Sequence, residues 1–537
     1  MLRIPMHDYE TACRAFRWEV PEAFNFAVDV VDYWARYREK IALIWRNEAG
    51  DEEYYTFADI SRLSCQFANL LAANGIIKGD RVIVMLPRIP AWQIVVTGCL
   101  RMGVIPIPCV TMLTEADLDY RIDHADVVAV VATHDNTRKF DPTRHFKARV
   151  SVGGARNDWI DFDNVLADQP KTFAAPEIKS EDPAILYYTS GSTGKPKGVL
   201  HASRAIFTWR VSAWYWLDLH EDDTIWCSAD TGWSKSGTSV LFGPWSCGAA
   251  AFTYDGPFDP ETRLELLERY KVTVFCAAAT ELRHLILQNI SGRDLSSLRQ
   301  TVSAGESVNP GIVTRWREIT GGRPLLDGYG QTETLMTILN YPAMPVKPGA
   351  MGRAMPGVDA AVIGEDNKFL GADEPGRLVI KLPNPQVMLE YLHAPEETAE
   401  SRITIDGKEW FITGDEAHMD ADGYLFYEGR ADDVINSAGY RIGPMEVENA
   451  LMEHAAVREC AAVASPHFVR GEVVKAFIIL NDGFEGSDEL VTELQEFSKR
   501  ITAPYKYPRK IEFVDELPKT ISGKIQRRKL KDREFGR

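Results

Sequence analysis

Residues 187–198 read YYTSGSTGKPKG, directly after the apolar run Ala184-Ile185-Leu186. The stretch has little side-chain bulk and two lysines, so its main chain lies open to whatever it encloses. A Walker-type loop requires G-x-x-x-x-G-K-[ST]. Gly191 and Gly194 are spaced differently, and Gly198 is followed by Val199, so that pattern fails. A flexible linker fits poorly as well, because the loop joins two apolar segments and Pro196 stiffens it. The remaining reading is a phosphate cradle of another kind. Backbone N–H groups and Ser/Thr hydroxyls would surround phosphate oxygens, with Lys195 or Lys197 adding charge.

Around this loop, short β-branched runs recur between helical patterns. DRVIVML (80–86), DVVAVVAT (126–133), TIWCSAD (224–230), KVTVFCAAAT (271–280) and QTVSAGE (300–306) read as buried strands ending in small or polar residues. DPETRLELLERY (259–270) reads as one of the intervening helices. Near-continuous apolar strands alternating with helices predict parallel α/β sheets covered on both faces. From about residue 350, GRLVIKL, EWFITGD and DGYLFYEG alternate or carry turn signals, which predicts an antiparallel β subdomain. After Arg430 comes a compact α+β segment with its own helices (PMEVENALMEH, SDELVTELQEFSKR) and strands (VRECAAVAS, EVVKAFIIL, RKIEFV). The expected fold is therefore multidomain α/β, with a large unit over 1–430 and a small one over 433–537.

The bulk numbers restrict the partners. A net charge of −17 over 537 residues excludes a basic footprint for nucleic acid or an acidic membrane. The acidity is uneven: residues 499–533 hold 12 basic and 4 acidic side chains, a local excess suited to a small polyanion or to a solvated helix face. The eight cysteines form no C-x-x-C and sit mostly in apolar context, as free thiols do in a reducing compartment. The first residues lack the apolar core of a secretory signal. The greasy stretch Val82–Val110 is interrupted by arginines and prolines, so no membrane span is expected and a cytoplasmic location is.

Four further stretches bear on chemistry. DGYGQTE (327–333) offers an aromatic, a hydroxyl and a carboxylate within a few residues, able to stack on a base, bind a phosphate and hold magnesium; an ordinary strand-to-helix turn is the alternative. FITGDEAHMDADGYLFYEGRADD (411–433) puts Asp415 and Arg430 on neighbouring predicted strands, where both can face one pocket. NSAGYRIGPMEVE (436–448) reads as a loop opening a helix. PKTISGKIQRRKL (518–530) sets Lys524 in a Gly/Ser loop inside the basic segment.

Together and in this order, these motifs resemble the adenylate-forming superfamily of acyl-CoA synthetases, luciferases and peptide-synthetase adenylation domains, from about residue 25 to 533. The resemblance implies a large N-terminal domain of two α/β sheets plus a β subdomain, joined by a hinge at 431–432 to a small mobile C-terminal α+β domain. It also implies activation of a carboxylate by ATP and Mg2+ as an acyl-AMP, followed by transfer to a thiol. Carried over by position, Thr189, Ser190, Gly191, Ser192, Thr193, Gly194, Lys195 and Lys197 resemble the loop on the ATP β- and γ-phosphates. Gly305, Glu306 and Ser307 with Asp327, Gly328 and Tyr329 resemble the adenine pocket. Thr332 looks like the α-phosphate ligand and Glu333 the magnesium carboxylate. Asp415 looks like the ribose carboxylate, with Arg430 beside it, and Arg441 like an arginine that approaches the phosphates. Asp432 stands at the hinge. Lys524 matches the lysine near the reacting carboxylate and α-phosphate, where cations must neutralise two anions.

Within the superfamily, FNFAVDVVDYWA, SADTGWSKSG and APYKYPRKIEF resemble medium-chain acyl-CoA synthetases. That subgroup implies coenzyme A contacts from Ala438, Gly439 and Tyr440 along the thiol channel, and from Arg470, Tyr507, Pro508 and Arg509. Acetyl- and propionyl-CoA synthetases carry Trp where this chain has Gly330, so a medium-chain, branched or aryl acid is expected, with Trp233 at the pocket or its mouth. The expected partners are this acid, ATP and coenzyme A; a homodimer is allowed. The alternative is a free-standing adenylation enzyme that loads a carrier protein. An amino-acid pocket of that kind presents an Asp in an F-D-x-S-like stretch, which is absent here; Asp230 is the nearest acid.

Overall fold

The computed structural model describes residues 3–536, except 190–195, 307, 432, 438–439, 469, 503–505 and 521–523, and except the side chains of 436, 440 and 441. The Val82–Val110 stretch becomes strand, helix and strand. Arg81–Met85 and Ile105–Pro108 pair in parallel, and the helix Pro90–Met102 between them is buried along its whole length. Pro90 pre-sets the first helical turn, and Gly103 at φ 71 ends the helix in the left-handed conformation. This helix packs on Phe57–Ala73, which Thr56 and Asp59 start with a reciprocal capping box. The two helices approach so closely at Gly98 that a Cβ there would lie 2.8 Å from the Phe67 ring. The apolar run is core, as the sequence predicts.

Arg81–Met85, Ile105–Pro108, Ala129–Thr133, Ala148–Val152 and Ile160–Asp161 form a five-stranded, all-parallel sheet. A second, long sheet runs through the molecule. Its parallel centre is built from Ala250–Asp255, Thr224–Cys227, Val274–Cys276, Gln300–Ala304 and Leu325–Gln331. Beyond Leu325–Gln331 the pairing turns antiparallel and continues into the strands between Ala350 and Arg430. This is the expected division into two α/β sheets and a β subdomain. Trp209, Trp216, Trp226, Trp245 and Trp316 are wholly enclosed, each worth several kcal/mol of burial by the usual ~25 cal/mol per Å².

Residues from Ile435 onward have their own five-stranded sheet and their own apolar clusters. Val457–His467 and Gly471–Leu480 form its central hairpin, covered by the helices Pro444–Met452, Asp488–Ile501 and Arg527–Phe535. Arg527 locks the last helix to the first through Glu448, at 2.8 and 2.6 Å. Seven of the eight cysteines are buried, and all eight are free. No helix among the described residues is long and apolar enough to cross a membrane.

Candidate active site

Pro183–Thr189 and Lys197–Ala202 pair antiparallel, with Thr189 opposite Lys197. The opening loop is thus flanked by two paired strands, whereas a Walker loop leads from a strand into a helix. Ser190 through Lys195 lie outside the described residues. At the loop's exit the Tyr120 hydroxyl donates to the Pro196 carbonyl at 2.9 Å, and the Lys197 ammonium lies 4.9 Å from the centre of the Tyr391 ring.

Residues 327–339 fold differently from the strand-to-helix alternative. Leu325–Gln331 is a strand, and after the turn Thr332–Thr334 the chain returns as the antiparallel strand Leu335–Leu339. A sharp corner presents Thr332 and Glu333 at a strand end. Two residues that sequence reasoning did not find hold this corner. His201 Nε2 donates to the Thr332 carbonyl at 2.6 Å, and the Ser234 and Thr332 hydroxyls are 3.2 Å apart. Burial pushes His201 down to about 4, so it stays a neutral imidazole with the proton on Nε2. On Glu333, the Tyr391 hydroxyl donates to Oε1 at 3.0 Å, and the Met388 N–H holds its carbonyl at 2.8 Å. Burial raises the Glu333 carboxyl above the usual range. A divalent cation would offset that cost, so the residue fits a magnesium ligand.

The corner around Asp415 is denser. Asp415 and Arg430 are register partners on adjacent strands, and Arg430 Nη1 lies 3.4 Å from Asp415 Oδ1. The Tyr329 hydroxyl and Gln331 Nε2 both donate to Asp415 Oδ2 at 2.6 Å, and the Tyr427 hydroxyl reaches Oδ1 at 3.5 Å. Burial still raises this carboxyl, the nearby Arg430 charge opposing it. Glu306 accepts from the Thr280 N–H at 2.9 Å and from its hydroxyl at 3.0 Å. Asp327, bonded by the Gly328 N–H at 2.9 Å, is pushed up to about 8 by burial. Ser307 lies outside the described residues.

Lys524 is brought to this cleft from the C-terminal segment. The residue as a whole is exposed, yet its ammonium feels Glu306, Lys235, Asp415 and Arg430 of the large unit, and desolvation lowers its proton affinity. Lys235, a second cation missed at the sequence level, donates to the Ala304 carbonyl at 3.1 Å. Ile435–Ser437 and Tyr440–Ile442 form a short hairpin ahead of the helix, where the sequence suggests a loop. Tyr440 and Arg441 belong to it by backbone only, while Ala438, Gly439 and Asp432, the expected hinge residue, lie outside the described residues. On the basic face, Tyr507 sits between Lys499 and Arg509, at 4.3 and 4.7 Å from its ring centre, and Gln495 bonds the Pro508 carbonyl at 3.0 Å. Half-buried Arg470 has its N–H bonded to His467 Nδ1 at 3.3 Å.

The structure adds to the acyl-pocket reading of Gly330 and locates Trp233. A Cβ on Gly330 would lie 2.1 Å from the Leu335 carbonyl oxygen, so this backbone requires glycine for the hairpin's close approach. The geometry therefore gives Gly330 a folding role, and its widening of the pocket rests on the resemblance alone. Trp233 packs against the cluster containing Cys109 and Val110, where an aromatic can line a cleft wall. Asp230 accepts from the Gly232 N–H at 2.9 Å, which engages its carboxylate in its own turn.

Comparisons with known proteins identify the family. The AMP-binding enzyme model matches residues 31–392, and the AMP-binding enzyme C-terminal domain model matches 446–524. The chain is 40% identical to acyl-coenzyme A synthetase ACSM3, mitochondrial, of Homo sapiens, over 98% of this chain and 92% of that protein. It is also 40% identical to human acyl-coenzyme A synthetase ACSM5, mitochondrial, over 96% and 92%. Among solved structures, the anthranilate CoA ligase AuaEII in complex with anthranoyl-AMP superposes with a TM-score of 0.87 at 30% identity, covering 96% of this chain and 98% of that one. A benzoate CoA ligase from Burkholderia xenovorans LB400 gives 0.82 at 28%, covering 95% and 100%.

Proposed function

We propose, from the premise that this chain belongs to the AMP-binding enzyme family, that it is an ATP-dependent acyl-CoA synthetase acting on a medium-chain, branched or aryl carboxylic acid. The observation that carries the reading is the convergence of Thr332, Glu333, Asp415 and Lys524, from segments up to two hundred residues apart, on one cleft. In the first half-reaction a carboxylate oxygen attacks the α-phosphorus and the bond to pyrophosphate breaks. Thr332 steadies the α-phosphate, Lys524 neutralises charge between acid and phosphate, and Asp415 holds the ribose. Residues 189–197 orient the departing pyrophosphate, with Arg441 approaching the phosphates. Gly305, Glu306, Ser307, Asp327, Gly328 and Tyr329 enclose the adenine. Glu333 would hold Mg2+, which when bound neutralises phosphate charge.

In the second half-reaction the coenzyme A sulfur attacks the acyl carbon, the thiol proton is lost and AMP leaves. Rotation of 433–537 about 431–432 withdraws Lys524 and brings Ala438, Gly439 and Tyr440 to the acyl-AMP. Arg470, Tyr507, Pro508 and Arg509 take the coenzyme A phosphates. The free buried thiols suit a reducing, cytoplasmic compartment. Pyrophosphate release with a panel of acids, with and without coenzyme A, tests the reading. Release with aryl acids or acids of about four to ten carbons, accompanied by coenzyme A consumption, is expected. Acid-dependent release that ignores coenzyme A would instead identify a carrier-loading enzyme.

A further inference from the structure

The short strand Glu390–Tyr391 lies between the two parts of the site that handle ATP phosphates. It pairs antiparallel with Lys197–Ala202, Tyr391 opposite Val199, and the Leu392 N–H bonds the Gly198 carbonyl at 2.8 Å. Just upstream, the Met388 N–H bonds the Glu333 carbonyl at 2.8 Å. One segment thus grips both the strand leaving the phosphate loop and the corner bearing the metal carboxylate. Its Tyr391 side chain repeats the connection: the hydroxyl donates to Glu333 Oε1 at 3.0 Å, and the ring faces the Lys197 ammonium at 4.9 Å. No other side chain among the described residues donates to Glu333. The Tyr391 main chain is itself fixed, its N–H bonded to the Thr398 hydroxyl at 2.9 Å.

We propose that Tyr391 is a positioning residue that couples the phosphate loop to the magnesium carboxylate, a role that rests on the reading of this site as an ATP site. The hydroxyl occupies one oxygen of Glu333 and fixes the carboxylate's rotation, leaving the other oxygen for the metal. The ring seats Lys197 by a cation–π contact, so the lysine keeps its charge toward the phosphates without being neutralised by a carboxylate. Two separable effects follow. The hydroxyl governs how well metal-bound ATP is held, whereas the ring governs ATP held with or without metal.

The test compares Tyr391→Phe and Tyr391→Leu in the full chain by calorimetric titration with ATP, in Mg2+ and in EDTA, together with the Mg2+ concentration that half-activates pyrophosphate release. Tyr391→Phe is expected to raise the half-activating Mg2+ concentration about 5- to 10-fold and to weaken ATP binding only when Mg2+ is present. Tyr391→Leu is expected to add a loss of about 2- to 5-fold in metal-free ATP binding. An unchanged Mg2+ requirement in Tyr391→Phe overturns the proposal. So does an equal loss with and without metal, which is what general loosening of the corner gives. Wild-type protein that binds no ATP under either condition removes the ATP reading itself, a failure distinct from the other two.

Discussion

The Asp415 corner and the Lys524 turn face the same cleft and are built in opposite ways. Asp415 stands mid-sheet, and Tyr329, Gln331, Tyr427 and Arg430, all on strands of the large unit, surround its two oxygens. Its geometry is held by the protein's own side chains. Lys524 stands on a turn of the other unit, where its main chain is tied to Thr520 at 2.7 and 3.1 Å. Its ammonium makes no hydrogen bond to another side chain among the described residues. In the proposed mechanism Asp415, needed throughout the reaction, is fixed by many short bonds, while Lys524, needed for one step, would be held by few and free to withdraw.

The largest expected effect tests the withdrawable side. Lys524→Ala should reduce acyl-AMP formation by at least ~10², while thioester formation from supplied acyl-AMP survives. Pyrophosphate release and thioester yield measure the two steps separately. Equal loss of both would erase the distinction between the two regions.

Asp415→Asn addresses the fixed side and should have a smaller, evenly distributed effect. The amide keeps the shape but removes the charge, so one hydrogen-bonding partner and the attraction of Arg430 weaken together. We expect AMP affinity to fall about tenfold by calorimetry, with both half-reactions slowed to a similar degree. A variant impaired only in adenylation would mean that Asp415 is not a constant anchor.

The fixed corner was the more legible of the two in the sequence. Asp415 and Arg430 lie in alternating, turn-separated strands, whose period and spacing foretell that they pair. The small unit's helices and strands also follow their patterns closely. Less visible was the corner at 332–334. Nothing in DGYGQTE announces that the chain turns back as a strand, because the turn depends on Leu335 at φ 56 and on Gly330 lying against the Leu335 carbonyl. His201, Ser234 and Tyr391 escaped for a related reason. Each acts through a partner about 60 to 130 residues away, and locally each reads as an ordinary strand or turn residue.

The smallest effect concerns the seam between the two units, where the fixed and withdrawable regions meet. Glu446, in the first turn of Pro444–Met452, is buried beside Glu428 of the strand Leu425–Arg430 and feels its charge. Glu428 also meets His418 Nδ1 at 2.5 Å, Lys506 pairs with Glu446, and Asp373 adds to the field on His418. Burial first, and the neighbouring Glu428 second, raise the Glu446 carboxyl; the bond to Glu428 raises His418. Glu446 therefore binds its proton more tightly in this arrangement than it would apart from Glu428, whereas His418 and Glu428 share the large unit and stay paired. The support from Glu446 is full at pH below its ordinary value and is lost as pH rises through the raised one. Rotation of the small unit would separate Glu446 from Glu428, so rising pH should favour the rotated, thioester-forming arrangement. As pH rises above the ordinary glutamate value of 4.5 and through the raised one, the ratio of thioester formation to adenylation should climb about 2- to 5-fold. Glu446→Gln removes the ionisation and should flatten that climb. A ratio in Glu446→Gln that still follows the wild-type curve would place the pH sensitivity elsewhere and leave the seam without a part in the alternation.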